Sequence, residues 1–268
     1  MDLPEETSSS AAAVGGDVRR RRTCTTGCGR PINVCLCHAL PSAPVPTATQ
    51  VVILHHPHER RHKLATVPVL AKCLRNCEII VGRKMKYGQS GLLDSLHDQA
   101  SENPNLPLRR AVYLFPGPEA LPFGEVSQMY SSLDDAGKEG LVLIVFDGTW
   151  KHAKEMMVAS LSFLSKFAVQ VCLNFDAAAD GGTIFDSELI LRKEPFAGCM
   201  STMEAVARCL RVLEPDGADI ESRIIEVLRA MVSLQACYLK PLRPRTKLVK
   251  NNAGQNKMNN DDKESPCQ

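Results

Sequence analysis

Long apolar stretches are missing from this chain. No run reaches about 18 residues, so no membrane-spanning helix is expected. Two phosphate-binding signatures are missing too. There is no G-x-G-x-x-G and no G-x-x-x-x-G-K-[ST], which leaves dinucleotide and P-loop chemistries without a motif. Excess charge of one sign is small, at +2 overall, so any nucleic-acid contact must come from a local basic patch. Met1 to Asp17 lack both a basic lead and a long apolar core, so no secretory signal is expected. Eleven unevenly clustered cysteines in such a chain point to metal ligation rather than a disulfide framework. Aromatics are only 5% of residues and tryptophan occurs once, which makes the place of Trp150 informative.

What is present is the composition of a globular protein, with 44% hydrophobic and 23% charged residues among 268. The sequence predicts a tail over 1–22, a cysteine cluster over 23–48, a catalytic domain over 49–240, and a basic tail over 241–268. Both tails have the polar composition of disordered segments. Strands are expected at 49–54, 78–81, 111–115, 141–146, 170–173 and 190–192, and helices at 64–74, 92–97, 152–164, 201–213 and 220–239. Strands alternating with helices predict an α/β fold with a mainly parallel sheet. The six apolar residues Leu141 to Phe146 read as a strand buried on both faces. They run into Asp147-Gly148-Thr149-Trp150, at the sheet end where ligands bind in such folds.

Several clusters carry chemistry. Cys24, Cys28, Cys35 and Cys37 can wrap one tetrahedral zinc, with His38 as an alternative ligand. Four free exposed thiols would be an oxidation liability, which favours zinc over an open loop. His55-His56-Pro57-His58-Glu59-Arg60-Arg61-His62 follows a strand and offers metal or catalytic groups, yet each histidine taken singly reads better as part of a solvated loop. Arg60, Arg61 and Lys63 suit phosphate contacts. Leu114-Phe115-Pro116 closes a strand with a rigid turn. Asp147 or Thr149 suits a helix N-cap, but a cap alone leaves the adjacent Trp150 unexplained. Ser201-x-x-Glu204 is a capping box whose free amides, with Arg192 nearby, suit a carboxylate or phosphate.

Five of these motifs, Cys-x-Arg-Pro-x3-Cys-x-Cys, His56-Pro-x-Glu59, Leu114-Phe-Pro116, Asp147-x-Thr-Trp150 and Ser201-Thr-x-Glu204-Ala, occur in the order seen in DTW-domain proteins. Over about residues 24–240 the chain resembles this family of tRNA-uridine aminocarboxypropyltransferases, in its eukaryotic second type and with plant-like detail at 81–84 and 197–200. The family's first cysteine pair is C-x2-C; here the gap is three, with Gly27 placed to absorb the extra residue.

The resemblance implies a SPOUT-like, trefoil-knotted α/β domain with an N-terminal zinc knuckle. It implies transfer of the 3-amino-3-carboxypropyl group of S-adenosylmethionine to N3 of a tRNA uridine, and it places Asp147 at the catalytic acid position. On this reading Leu114, Phe115, Pro116, Gly148, Thr149, Arg192, Ser201 and Thr202 form the cofactor bed, and Trp150 either stacks on the base or packs under the loop, with packing preferred. The RNA face takes in Arg60, Arg61, Lys63, Arg83 and Lys84, with Arg19 to Arg22 and the basic tail. A homodimer, the absence of a membrane partner, and a cytoplasmic or nuclear location are further expectations. The competing readings are a SPOUT-type RNA methyltransferase and a non-catalytic zinc-ribbon RNA-binding protein.

Overall fold

A computed structural model describes residues 22–62, 64–103, 110–131, 141–173 and 200–238, and among residues 61 and 131 the backbone only. The strands are β1 (Gln50–His55), β2 (Cys77–Val81), β3 (Ala111–Leu114), β4 (Leu121–Pro122), β5 (Val142–Asp147) and β6 (Ala168–Cys172). The helices are α1 (Val67–Cys73), α2 (Gly91–Glu102), α3 (Phe123–Ser131), α4 (Trp150–Leu164), α5 (Thr202–Leu213) and α6 (Gly217–Ala236). All six strands join one sheet in the order β2-β1-β5-β3-β6-β4, and every pair in it is parallel. The expected α/β, parallel architecture is therefore present.

The central strands explain their unbroken apolar sequence. On β5, Leu143 and Val145 point into one core with Val51 and Ile53 of β1. Val142, Ile144 and Phe146 point into the other, with Val52 and Leu54. Successive strand residues face opposite sides, so a strand covered on both faces needs apolar residues at every position. The first core is closed by α1, α3, α5 and α6 and takes in Cys28 and Leu36 of the cysteine segment. The second is closed by α2 and α4.

Most differences from expectation are local. Strand β1 runs on through His55. Helix α2 is twelve residues long, because Ser90 caps it by accepting the Leu93 amide at 3.4 Å. Pro68 falls in the first turn of α1, where a missing amide costs little. Strand β4 and helix α3 were not expected. Their sequence, Pro-Gly-Pro-Glu-Ala-Leu-Pro, carries turn residues, and Pro122 is tolerated because β4 is a sheet edge. The strand expected at 190–192 and both tails lie outside the described residues. Among those described, no helix is long and apolar enough to cross a membrane.

The entry to β1 is held by one buried carboxylate. Glu214, at the end of α5, accepts the backbone amides of Ala48 at 2.9 Å and Thr49 at 2.8 Å. Glu214→Ala leaves the buried Thr49 amide without its acceptor, while water can replace the carboxylate at the exposed Ala48, so the expected cost is about 1–3 kcal/mol for one buried unsatisfied group. Urea unfolding followed by circular dichroism checks it; an unchanged midpoint would remove Glu214 from the account of this junction.

Candidate functional site

Strand register builds the centre of the site. β1 and β5 are neighbours, and their pairing sets His55 directly beside Asp147. Aligned residues of adjacent strands share a sheet face, so the two side chains meet. His55 Nδ1 lies 2.6 Å from Asp147 Oδ2. The other carboxylate oxygen, Oδ1, accepts the Thr202 hydroxyl at 2.6 Å from the first turn of α5. Both members of the pair are buried, His55 at 2% and Asp147 at 8% exposure. His55 Nε2 is buried without a hydrogen-bond partner. An ionised carboxylate only accepts, so the proton of a neutral His55 sits on Nδ1.

The competing role for Asp147 as a helix cap is taken by its neighbour. Thr149 is the N-cap of α4, and its hydroxyl accepts the His152 amide at 3.3 Å. Asp147 is thereby left for His55 and Thr202. Gly148 is there for space: a Cβ on it would lie 3.1 Å from His152 Cβ and 3.4 Å from His56 Cβ. Trp150 does not pack under the loop as expected. It starts α4 with 47% of its surface exposed and one edge toward Phe115, ring centroids 6.4 Å apart. It sits at N1 of α4, and Phe115 is its aromatic neighbour among the described residues.

The Leu114–Pro116 turn reaches the same rim. Phe115 donates its amide to Val171, and its carbonyl accepts Gln170 Nε2 at 2.9 Å. Gln170 Oε1 in turn accepts the Tyr113 hydroxyl at 3.2 Å. Sequence reading had no signal for Gln170, a polar residue on a strand whose contact exists only through β3–β6 pairing. The capping box is present in that Ser201 Oγ accepts the Glu204 amide at 3.2 Å, while Glu204 Oε1 accepts Arg208 at 3.2 Å in the helix interior. Ser201 is thus occupied as a cap, and Thr202 is the member that reaches Asp147. Arg192 lies outside the described residues.

The histidine turn is less solvated than expected. His55 and His56 are buried, because β1 continues through the first and the His56 amide extends the ladder to the Asp147 carbonyl at 2.9 Å. Burial, followed by His152, His58 and Arg83, holds the His56 imidazole below its ordinary range, against a smaller opposing pull from Glu59. Residues 58–62 also spell H-E-x-x-H. A zincin helix would put both histidines on one helical face, but here a 3-10 turn over Glu59–Arg61 ends in extended backbone at His62. His58 instead meets His56 and His152. Arg60, Arg83 and Lys84 are exposed around this rim, whereas Lys63 and the Arg61 side chain lie outside the described residues.

The cysteine segment gathers all four expected thiols. Sγ atoms of Cys24 and Cys37 are 3.5 Å apart and those of Cys28 and Cys35 are 3.6 Å apart. Tetrahedral zinc with 2.3 Å bonds needs about 3.8 Å between sulfurs, so the set fits. The extra residue of the first gap is absorbed by Gly27, where a Cβ would run into Cys37 Sγ. Amides of Cys28 and Leu36 point at Cys37 and Cys28 sulfurs at 3.2 and 3.3 Å. Cys24 and Cys37 share one proton: the hydrogen bond from Cys37, then the Cys28 amide, brings the Cys24 thiol down to about 6, while Cys37, despite the Cys28 amide, is pushed up to about 12 by its bonds to Cys24 and Cys35. Burial raises Cys28, but the amides of Leu36 and Arg30 outweigh it and leave the thiol below its usual value. Thiolate is the form a metal binds.

Comparison with known proteins follows this geometry. The DTW domain family matches residues 21–236. tRNA-uridine aminocarboxypropyltransferase A of Arabidopsis thaliana is 47% identical over 242 residues, 87% of this chain and 89% of the relative. tRNA-uridine aminocarboxypropyltransferase 2 of Macaca fascicularis is 30% identical, covering 81% of this chain and 64% of the relative. The Drosophila melanogaster protein of the same name is 30% identical over 75% and 70%. No solved structure gives a significant match. The matched span includes the cysteine knuckle, the His55–Asp147–Thr202 centre and both flanking rims, and the chain belongs to the DTW-domain family.

Proposed function

We propose that this protein transfers the 3-amino-3-carboxypropyl group of S-adenosylmethionine to N3 of a uridine in tRNA, giving acp3U and methylthioadenosine. The observation that carries the reading is 47% identity, across almost the whole of both chains, to a relative bearing that activity in its name. The geometry supports it, since the family motifs converge at the carboxyl ends of β1, β3 and β5, where an open α/β sheet binds its ligands. A trefoil knot of the SPOUT kind around that site belongs to the same proposal, as does a structural zinc on Cys24, Cys28, Cys35 and Cys37.

When bound, S-adenosylmethionine supplies a sulfonium whose charge activates the attached γ-carbon. Orientation decides which carbon is attacked. The Phe115–Pro116 turn, Gly148–Thr149 and the start of α5 line the bed that sets it, with the amides at Ser201 and Thr202, and Arg192, as the groups for the cofactor carboxylate. Asp147 takes the N3 proton of the uridine as N3 bonds the γ-carbon and the carbon–sulfur bond breaks with its electron pair on sulfur. His55 and Thr202 act through Asp147, each donating to one carboxylate oxygen and fixing its plane. The exposed Trp150 face is open to stack on a base. Arg60, Arg83 and Lys84 would contact phosphates.

The test is nucleoside mass spectrometry of unmodified tRNA incubated with the purified full chain and S-adenosylmethionine. Appearance of acp3U is expected. A methylated uridine would instead identify a methyltransferase, and no change with intact tRNA binding would identify a binding protein.

A further inference from the structure

We propose that His56, His58 and His152 form a second metal site, separate from the cysteine knuckle, for a divalent ion of borderline softness such as zinc or cobalt, with a fourth position open to an oxygen ligand. The three imidazoles come from two places in the chain. His56 and His58 follow β1, and His152 lies in the first turn of α4. Gly148 lets them approach, since the space a Cβ would occupy there is bounded by the Cβ atoms of both His56 and His152. One ligand nitrogen from each lies within 4.8 Å of the others. Tetrahedral zinc with bonds of 2.0–2.1 Å needs about 3.4 Å between nitrogens, so closure takes at most about 1.4 Å.

A further observation points to a ligand. His152 Nδ1 is buried and has no hydrogen-bond partner, and a buried polar atom in a native fold normally has one. The rings of His56 and His152 stack face to face at 3.9 Å, with His58 edge-on to both, so binding one ion in the plane of each ring requires a ring rotation. Exposure increases from buried His56 through half-buried His152 to exposed His58, so the site opens to solvent on one side. Three histidines with an open position is the pattern of a reactive zinc site rather than a structural one. The imidazole set also differs in softness from the four thiolates.

The test uses tag-free full-length protein brought to one zinc per chain, checked by atomic emission, and then titrated with Co2+. Cobalt held by imidazoles gives weak visible bands, whereas cobalt held by thiolates adds an intense near-ultraviolet band, so the two sites are read separately. One equivalent of Co2+ with visible bands and no near-ultraviolet band is expected. His58→Ala/His152→Ala should abolish that signal while keeping the knuckle zinc, which reports a folded chain. A wild-type titration with no thiolate-free cobalt signal, or the same signal in the double variant, overturns the site.

Discussion

Asp147→Asn is expected to lower acp3U formation by about 10²–10⁴-fold, the usual contribution of a positioned general base, with the fold retained. Asparagine has nearly the same size and can still accept the Thr202 hydroxyl through its oxygen. Its amide nitrogen, however, would face the His55 Nδ1 proton where Oδ2 now accepts at 2.6 Å. A neutral imidazole resolves that conflict by moving its proton to Nε2, which is buried without a partner, so the expected stability cost is about 1–3 kcal/mol. The measurement is a single-turnover assay with labelled S-adenosylmethionine, beside an unfolding curve for the same sample. A folded variant that transfers at a near-normal rate would remove Asp147 as the base. His55→Ala provides the comparison. Because His55 acts by holding the carboxylate, its loss should lower the turnover rate by less than Asp147→Asn does and leave KM for tRNA nearly unchanged.

The sequence carried Asp147 this far because strand β5 is so strongly marked. Six apolar residues ending in an acid locate a strand terminus in any parallel sheet, and two other rims, after β1 and after β3, follow the same logic. What it could not show was which of Asp147 and Thr149 caps α4, since both residue types cap helices well. Only the backbone at Thr149, extended and bonded to the His152 amide, separates the two. His55 was harder still. In the sequence it is one of four histidines in an eight-residue polar run, and its burial follows from where β1 ends and which strand lies beside it. Strand pairing between residues 92 apart leaves no local trace. The same holds for His152, which reads as an ordinary polar helix residue until the β1 loop is placed against it. The extra residue between Cys24 and Cys28 looked like a departure from the ligand pattern, yet Gly27 accommodates it by having no side chain where Cys37 passes.

Cys28→Ser is expected to have the largest effect on stability, on the order of 3–5 kcal/mol, the range reached when a core contact and a metal are lost together. Two consequences add. If the four thiols hold the proposed zinc, removing one weakens that site, and structural zinc contributes folding free energy directly. Cys28 is also the ligand set deepest in the protein, buried in the same core as Leu36, Val45, Leu70 and Ile224. Its sulfur accepts the Leu36 amide at 3.3 Å, and Leu36 is fully buried. The knuckle is therefore a wall of the main core rather than an appendage, and loosening it exposes apolar surface on α1 and α6. Cys37→Ser removes a ligand of the same kind from an exposed position and should lower zinc occupancy with a smaller loss of stability. The two variants together separate the metal from the packing. Zinc per chain by atomic emission and the denaturant midpoint are the readouts. If Cys28→Ser kept full zinc and an unchanged midpoint, neither the metal nor the docking of Leu36 would be holding this end of the fold. If the two variants fell equally, the metal alone would carry the effect, and the burial of Cys28 would add nothing to it.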